Sequence, residues 1–112
     1  MPSRAAALRL GLPAFVAGFH MAIALGIARR ALDEITEQAV EKGRGSPPSP
    51  LPTHPYFQFA MGKAELQLAS ARALAFQVLS SVWTEAQAGR VPPPPMQAEA
   101  RAAAVYITEV AQ

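Results

Sequence analysis

The pattern of apolar positions is clearest between residues 55 and 89, where two apolar stripes repeat with alternating steps of three and four residues. Stripe A comprises Phe57, Met61, Ala64, Leu68, Ala71, Ala75, Val78 and Val82. Stripe B comprises Phe59, Gly62, Leu66, Ala69, Ala73, Phe76, Ser80 and Trp83. At about 100° per residue the two stripes lie about 150° apart on one helix. The pattern therefore predicts an inner helix of a bundle, packed on both sides, that begins at Pro55 and ends just before Gly89.

A stripe of the same spacing occupies the N-terminal part of the chain and predicts a first helix from about residue 13 to residue 42. Its members are Ala14, Gly18, Met21, Leu25, Ala28, Leu32, Ile35 and Ala39. Large apolar residues also occupy the other faces of the N-terminal half, namely Phe15, Val16, Phe19, Ile23 and Ile27. We therefore expect this half to be buried nearly all round, with His20 as a hydrogen-bonded core histidine. The C-terminal half is amphipathic, and Arg30 and Glu34 have the spacing of an exposed helical ion pair.

Small residues recur every four positions on the first helix, at Gly18, Ala22 and Gly26. We call this set the small-residue row. Such a row allows the backbone of another helix to come close, or allows a flat ligand to lie against the helix. Close helix packing is the interpretation that the pattern favours.

Two proline-rich segments, residues 43–54 and 90–95, separate the first helix from the second and the second from a third. The first segment could also serve as a proline-rich peptide ligand, but a stiff connector is the simpler interpretation. The third helix is predicted over residues 96–112, with an apolar stripe of Met96, Ala100, Ala103, Ile107 and Val110. The chain is thus predicted to form a single all-α domain over residues 1–112, an antiparallel bundle of three long helices with up-down topology.

Composition excludes several classes of function. The chain has no cysteine, which excludes disulfides and thiolate chemistry and favours a cytoplasmic location. Its ten basic and eight acidic residues are mixed along the sequence, so a nucleic-acid interface is not expected. The two histidines and the acidic residues form no catalytic or metal-ligand pattern. We therefore assign no catalytic, cofactor-binding or metal-binding residue from the sequence.

A membrane-anchored protein is an alternative, because residues 10–28 carry no charge and Arg29 and Arg30 follow. Pro13, His20 and three glycines lower the mean hydropathy of this segment. The apolar stripe also crosses the two arginines without a change of register. Both features favour a helix of a bundle, and no membrane contact is expected.

Two motifs carry a resemblance to a known family. Residues 25–34, LGIARRALDE, resemble the opening helix of the C-terminal domain in acyl-CoA dehydrogenase-like flavoproteins. Residues 51–55, LPTHP, are similar to the stretch that opens the second helix of that domain. They are followed by Gln58, by residues 62–65 (GKAE) and by residues 71–74 (ARAL). The sequences of these motifs are most similar to the branch of the family that includes flavin-dependent aromatic hydroxylases and sulfoxidising monooxygenases.

This resemblance implies a four-helix, up-down-up-down domain that follows a helical domain and a β-barrel, builds the tetramer and helps to cover the flavin. We expect the chain to be a C-terminal segment of such an oxidoreductase or monooxygenase, inactive alone and assembled as a dimer or tetramer. FAD or FMN is implied only for a complete enzyme, and the catalytic residues of the family would lie outside this chain. His54 and Gln58 match motif positions that could contact flavin or cap the helix. The alternative is a stand-alone helical oligomerisation module without catalysis.

Overall fold

The computed structural model describes residues 12–112, with side chains from Ala14 onward, and consists of three helices. They are α1 (Leu12–Gly43), α2 (Pro55–Gln87) and α3 (Pro94–Ala111), with a short 3₁₀ helix at Leu51–Thr53 before α2. Residues 12–112 contain no strand. The predicted all-α class and the antiparallel arrangement of three helices are confirmed. The first eleven residues, which belong to the predicted domain, lie outside the described residues.

Local signals set both ends of α2. Pro55 occupies the first turn, where its missing N–H would have no partner within the helix. His54 caps this end, because the backbone N–H of Tyr56 donates to His54 Nδ1 over 3.2 Å. At the other end Gly89 has φ +85°, and the N–H of Arg90 donates to the carbonyl of Glu85 over 3.0 Å. These are the features of a Schellman motif, so Gly89 terminates the helix as the sequence predicts.

The core is formed where α3 packs against both α1 and α2. Met21 of α1, Val82 of α2 and Ile107 of α3 are all 0% exposed. The remaining members of the core are mostly alanines: Ala14, Ala17, Ala71, Ala75, Val78, Ala100, Ala103 and Ala104. Small side chains allow helix backbones to come close, so the core is tight but thin. The C-terminal part of stripe A is therefore buried, from Leu68 to Val82.

Stripe B corrects the prediction that α2 is packed on both sides. Phe59 and Leu66 are each 72% exposed, and Phe76 is 60% exposed. The reason is geometric, since α1 and α3 both pack against the stripe A side of α2. The molecule measures 62 × 26 × 16 Å. The smallest dimension, 16 Å, is less than two helix diameters of about 10 Å each. The three helices therefore leave the stripe B side of α2 without a covering helix.

The N-terminal half of α1 also differs from its prediction. Its stripe does pack inward at Ala14, Met21 and Ala28, although Ile35 further along is exposed. The other large apolar residues of this half are all exposed: Phe15, Val16, Phe19, Ile23 and Ile27. His20 is exposed as well, so it is not a core histidine. The prediction that this half is buried nearly all round is therefore wrong for one copy of the chain.

By length and composition alone, residues Ala14–Gly43 of α1 could cross a membrane. The same segment supplies Ala14, Ala17 and Met21 to the core shared by all three helices. One face of the segment is thus already covered by protein, as in a helix of a bundle.

Candidate functional site

A concave surface lies between α1 and α2, and we call it the α1–α2 groove. It encloses about 620 Å³. Its floor is apolar and includes Met21, Leu25, Leu68 and Ala75. A second depression of about 550 Å³ continues it toward the N-terminus of α1, between Phe19 and Trp83. A groove of this kind remains between two helices on the side that a third helix does not cover.

The small-residue row forms part of the α1 wall of the α1–α2 groove. At Gly18 an added Cβ would lie 3.2 Å from Leu79 Cδ2, so this position allows the close approach of α2. At Gly26 an added Cβ would meet nothing within 4 Å. Ala22 between them is exposed. The predicted close packing therefore occurs only at the N-terminal end of the row, and the rest faces open space.

An ion pair between the two helices closes one end of the α1–α2 groove. Arg29 donates to both carboxylate oxygens of Glu65, from Nη1 over 2.7 Å and from Nη2 over 2.6 Å. Arg29 also donates to Asp33 Oδ1 from Nη2 over 2.8 Å and from Nε over 3.1 Å. The planar guanidinium fits this two-pronged geometry, which a lysine could not reproduce. One arginine thus holds α2 and the next turn of its own helix together.

The hydrogen bonds of this ion pair shift the protonation equilibria of its members. The hydrogen bond from Arg29 holds the pKa of Glu65 below its usual value. The hydrogen bonds to Glu65 and Asp33 raise the pKa of Arg29 above its usual value. Arg29 and Glu65 therefore stay charged at neutral pH. At this end of the groove the positive charge of Arg29 is balanced by the negative charge of Glu65.

The ion pair joins the two sequence motifs that carry the family resemblance. Arg29 lies in the first motif and Glu65 in the second, 36 residues later. Sequence reasoning paired Arg30 with Glu34, and these two side chains do approach to 3.8 Å on an exposed surface. It missed Arg29–Glu65 because helical spacing reveals partners on one helix only.

His54 and Gln58 both take part in the turn before α2. His54 accepts the capping hydrogen bond from Tyr56, and Gln58 Nε2 donates to the carbonyl of Pro52 over 3.1 Å. These bonds show that both side chains have a structural role at the start of the helix. The other cationic side chain of the α1–α2 groove is Arg72, whose guanidinium carbon lies 5.2 Å from the centre of the Phe76 ring.

Comparison with known proteins identifies the family of this chain. The family model described as "Acyl-CoA dehydrogenase, C-terminal domain" matches residues 19–112. The chain belongs to this family. The match includes all of α2 and α3 and most of α1, and thus both halves of the Arg29–Glu65 pair. No curated protein and no solved structure matches the chain.

Acyl-CoA dehydrogenase-like proteins are generally flavin-dependent, so the α1–α2 groove has to be tested against a flavin. Ala22, Gly26 and Ala69 give it a flat apolar wall of the kind that a ring system contacts. The phosphates of a flavin nucleotide need several N–H donors. The cationic residues that line the groove are Arg29 and Arg72, and the guanidinium of Arg29 already binds two carboxylates. The groove residues therefore do not fit a complete flavin site.

Metal-dependent chemistry has no evident site in residues 14–112. No three histidine, aspartate or glutamate side chains of this part of the chain lie close enough together to hold a metal ion. The sequence analysis assigned no catalytic, cofactor-binding or metal-binding residue, and that assignment stays a prediction.

Proposed function

We propose that this chain is the C-terminal helical segment of an acyl-CoA dehydrogenase-like, flavin-dependent oxidoreductase or monooxygenase. In this role it contributes contacts between subunits and covers part of a flavin that other parts of the enzyme hold, and it has no activity alone. The observation that carries the proposal is the family match, which extends through all three helices.

The exposed apolar surface supports a role in contacts between subunits. Large apolar side chains of α1 and of stripe B are more than half exposed, among them Phe19, Ile27 and Leu66. Contiguous apolar surface of this extent is typical of protein interfaces. The segment is thus suited to be covered by other protein.

The α1–α2 groove supports a partial role in covering a flavin. It offers apolar contact to a flat ring but lacks a complete set of donors for phosphate. An enzyme that uses this surface must supply the remaining contacts from another domain or subunit. Only the amino-acid sequences of the two motifs favour the monooxygenase branch. The proposal therefore includes both the dehydrogenase and the monooxygenase reaction.

Sequencing the DNA on both sides of the coding region tests this proposal. An in-frame β-rich domain upstream, together with a helix containing a glycine pair downstream, would support it. If neither is present in frame, the proposal fails, and the stand-alone oligomerisation module replaces it.

A further inference from the structure

One cationic side chain of the α1–α2 groove, that of Arg72, has no carboxylate partner among the described residues. The ion pairs found in this part of the chain all involve other side chains. Arg72 lines the groove and is exposed to solvent. Its guanidinium lies over the ring of Phe76, 5.2 Å from the ring centre. A guanidinium stacked in this way still presents N–H groups at its edge, so Arg72 remains able to bind an anion.

The apolar wall of the groove beside Arg72 is flat and open. Ala22 and Gly26 of α1 and Ala69 of α2 contribute only backbone and Cβ atoms to this wall. At Gly26 an added Cβ would meet nothing within 4 Å, so the space above the wall is free. Between positions 18 and 29 of α1 the groove is about 16 Å long, at about 1.5 Å per residue. Its volume of about 620 Å³ lies within the range of small-molecule sites, about 300–1,000 Å³.

We propose that the α1–α2 groove binds a small aromatic carboxylate, with the ring against the flat wall and the carboxylate paired with Arg72. The ring exchanges water for apolar surface, while the carboxylate stays at the solvent edge, where Arg72 can donate two parallel hydrogen bonds. Phe76 adds an edge-to-face or offset contact that an alkyl chain does not obtain. The inference goes beyond the proposed function, because the site needs neither a flavin nor a second subunit.

The charges at the other end of the groove favour a ligand with a single negative charge. The positive charge of Arg29 is already balanced by hydrogen bonds to Glu65 and Asp33. Glu65 stays ionised, because the hydrogen bond from Arg29 holds its pKa below the usual value. A second anionic group of the ligand would therefore approach a carboxylate without finding another unpaired cation in the groove lining. We thus expect a monocarboxylate rather than a dicarboxylate or a nucleotide.

Titration of the isotope-labelled chain with naphthoate, followed by NMR, measures binding and locates it. Amide signals of residues 22–29 and 65–76, which line the groove, should shift together. The dissociation constant should lie below about 1 mM, as one charged contact and an open apolar wall allow. Naphthylmethanol keeps the rings but lacks the charge, and undecanoate keeps the carboxylate and the number of carbon atoms but lacks the rings. Each should bind at least about threefold more weakly than naphthoate.

Arg72→Gln tests the charged contact of the proposed site. This variant should weaken binding of naphthoate at least about fivefold and leave that of naphthylmethanol unchanged. Lys63→Gln is the matched control, because it removes one positive charge from the same helix at an exposed position outside the groove lining. Its effect on naphthoate should stay below about twofold. Equal losses in the two variants would show that naphthoate responds only to net charge and would overturn the inference.

Gly26→Leu tests the flat wall. The new side chain enters the free space above the wall, so binding of both naphthalene compounds should weaken at least about tenfold. Gly62→Leu is the control, since Gly62 is also a helical glycine with nothing within 4 Å but does not line the groove. Circular dichroism verifies that each variant remains helical. If Gly26→Leu loses helical content, Arg72→Gln and its control decide the inference.

Two further results of the NMR titration would overturn the inference. The first is the absence of shifts at the groove residues when naphthoate is added. The second is binding of undecanoate as tight as that of naphthoate, which would assign the groove to alkyl carboxylates instead. Neither result depends on the DNA that flanks the coding region, so the proposed function is tested separately.

Discussion

Arg29 links α1 to α2 at the α1–α2 groove through its ion pair with Glu65. Its guanidinium donates four hydrogen bonds to two carboxylates, Asp33 on α1 and Glu65 on α2. Among the described residues, the lining of the α1–α2 groove has no other ion pair between the two helices. The low pKa of Glu65 means that the folded state binds the proton less tightly than the unfolded state. The contribution of this pair to stability is therefore present above the unfolded pKa of glutamate and is lost as the pH falls through the folded pKa.

This linkage predicts how Glu65→Gln will behave in acid. At pH 7 the variant should unfold at a lower temperature than the wild type, because the charged hydrogen bonds are gone. As the pH falls below the pKa of glutamate in the unfolded chain and then through the lower pKa of Glu65 in the folded chain, the wild-type carboxylate also becomes protonated and the difference should shrink. Thermal unfolding by circular dichroism between pH 7 and pH 3 measures both effects. Glu34→Gln is the control, since its partner Arg30 is 3.8 Å away, and a similar pH profile for both variants would contradict the assignment.

Burial predicts a different order of stability losses from that expected from the apolar stripes alone. The sequence pattern treats Leu68 and Phe76 as equivalent core positions, but Leu68 is 8% exposed and Phe76 is 60% exposed. Leu68→Ala should therefore cost about 2–5 kcal/mol of unfolding free energy. For a monomer at low concentration, Phe76→Ala should cost about 1 kcal/mol or less, mainly through its contact with Arg72. Urea titration measures both, with Gln67→Ala on the polar surface as a reference; equal losses at the two positions would contradict this order.

At the scale of the helices, the sequence predicts which residues share a face but not which faces are covered. Stripes A and B have the same spacing, yet the buried members of α2 from Leu68 to Val82 are on stripe A, whereas most of stripe B is exposed. Periodicity in one helix contains no information about where the next helix lies. The same limit explains the error at Phe19 and Ile23, and it explains why the pair between Arg29 and Glu65 was missed. The ends of α2, by contrast, follow from local chemistry at His54 and Gly89 and could be predicted.

Two glycine substitutions in α2 should change stability in opposite directions. Gly89 has φ +85°, so Gly89→Ala forces a side chain into the left-handed region and should cost on the order of 1 kcal/mol. Gly62 lies inside the helix with free space at its Cβ, so Gly62→Ala should stabilise by about 0.5–1 kcal/mol. Urea titration at low protein concentration measures both. A stabilising Gly89→Ala would show that the Schellman motif does not terminate the helix in solution.

At the scale of the whole molecule, a thin plate of three helices can bury only one side of each. The core contains small residues, while large ones such as Phe15, Phe59 and Leu66 remain outside. Burial of apolar area contributes about 25 cal/mol per Å², so these exposed side chains represent stabilisation that one copy alone does not obtain. We expect partners to contact the chain through this exposed surface. We likewise expect cofactor binding to need contacts that this chain alone does not supply.

The chain alone is expected to bind FAD or FMN weakly or not at all. The α1–α2 groove provides an apolar wall and the guanidinium of Arg72, whereas the guanidinium of Arg29 is committed to Asp33 and Glu65. With so few donors for phosphate, the dissociation constant should exceed about 100 µM, because one charged contact and an open apolar wall give only a few kcal/mol after the entropy of binding is lost. Titration of the purified chain, followed by flavin fluorescence, measures this value. Arg72→Gln is the informative variant: it should abolish any residual binding while leaving the helical content unchanged. Stoichiometric binding at micromolar flavin would require a complete site within these 112 residues and would contradict the role of a partial cover.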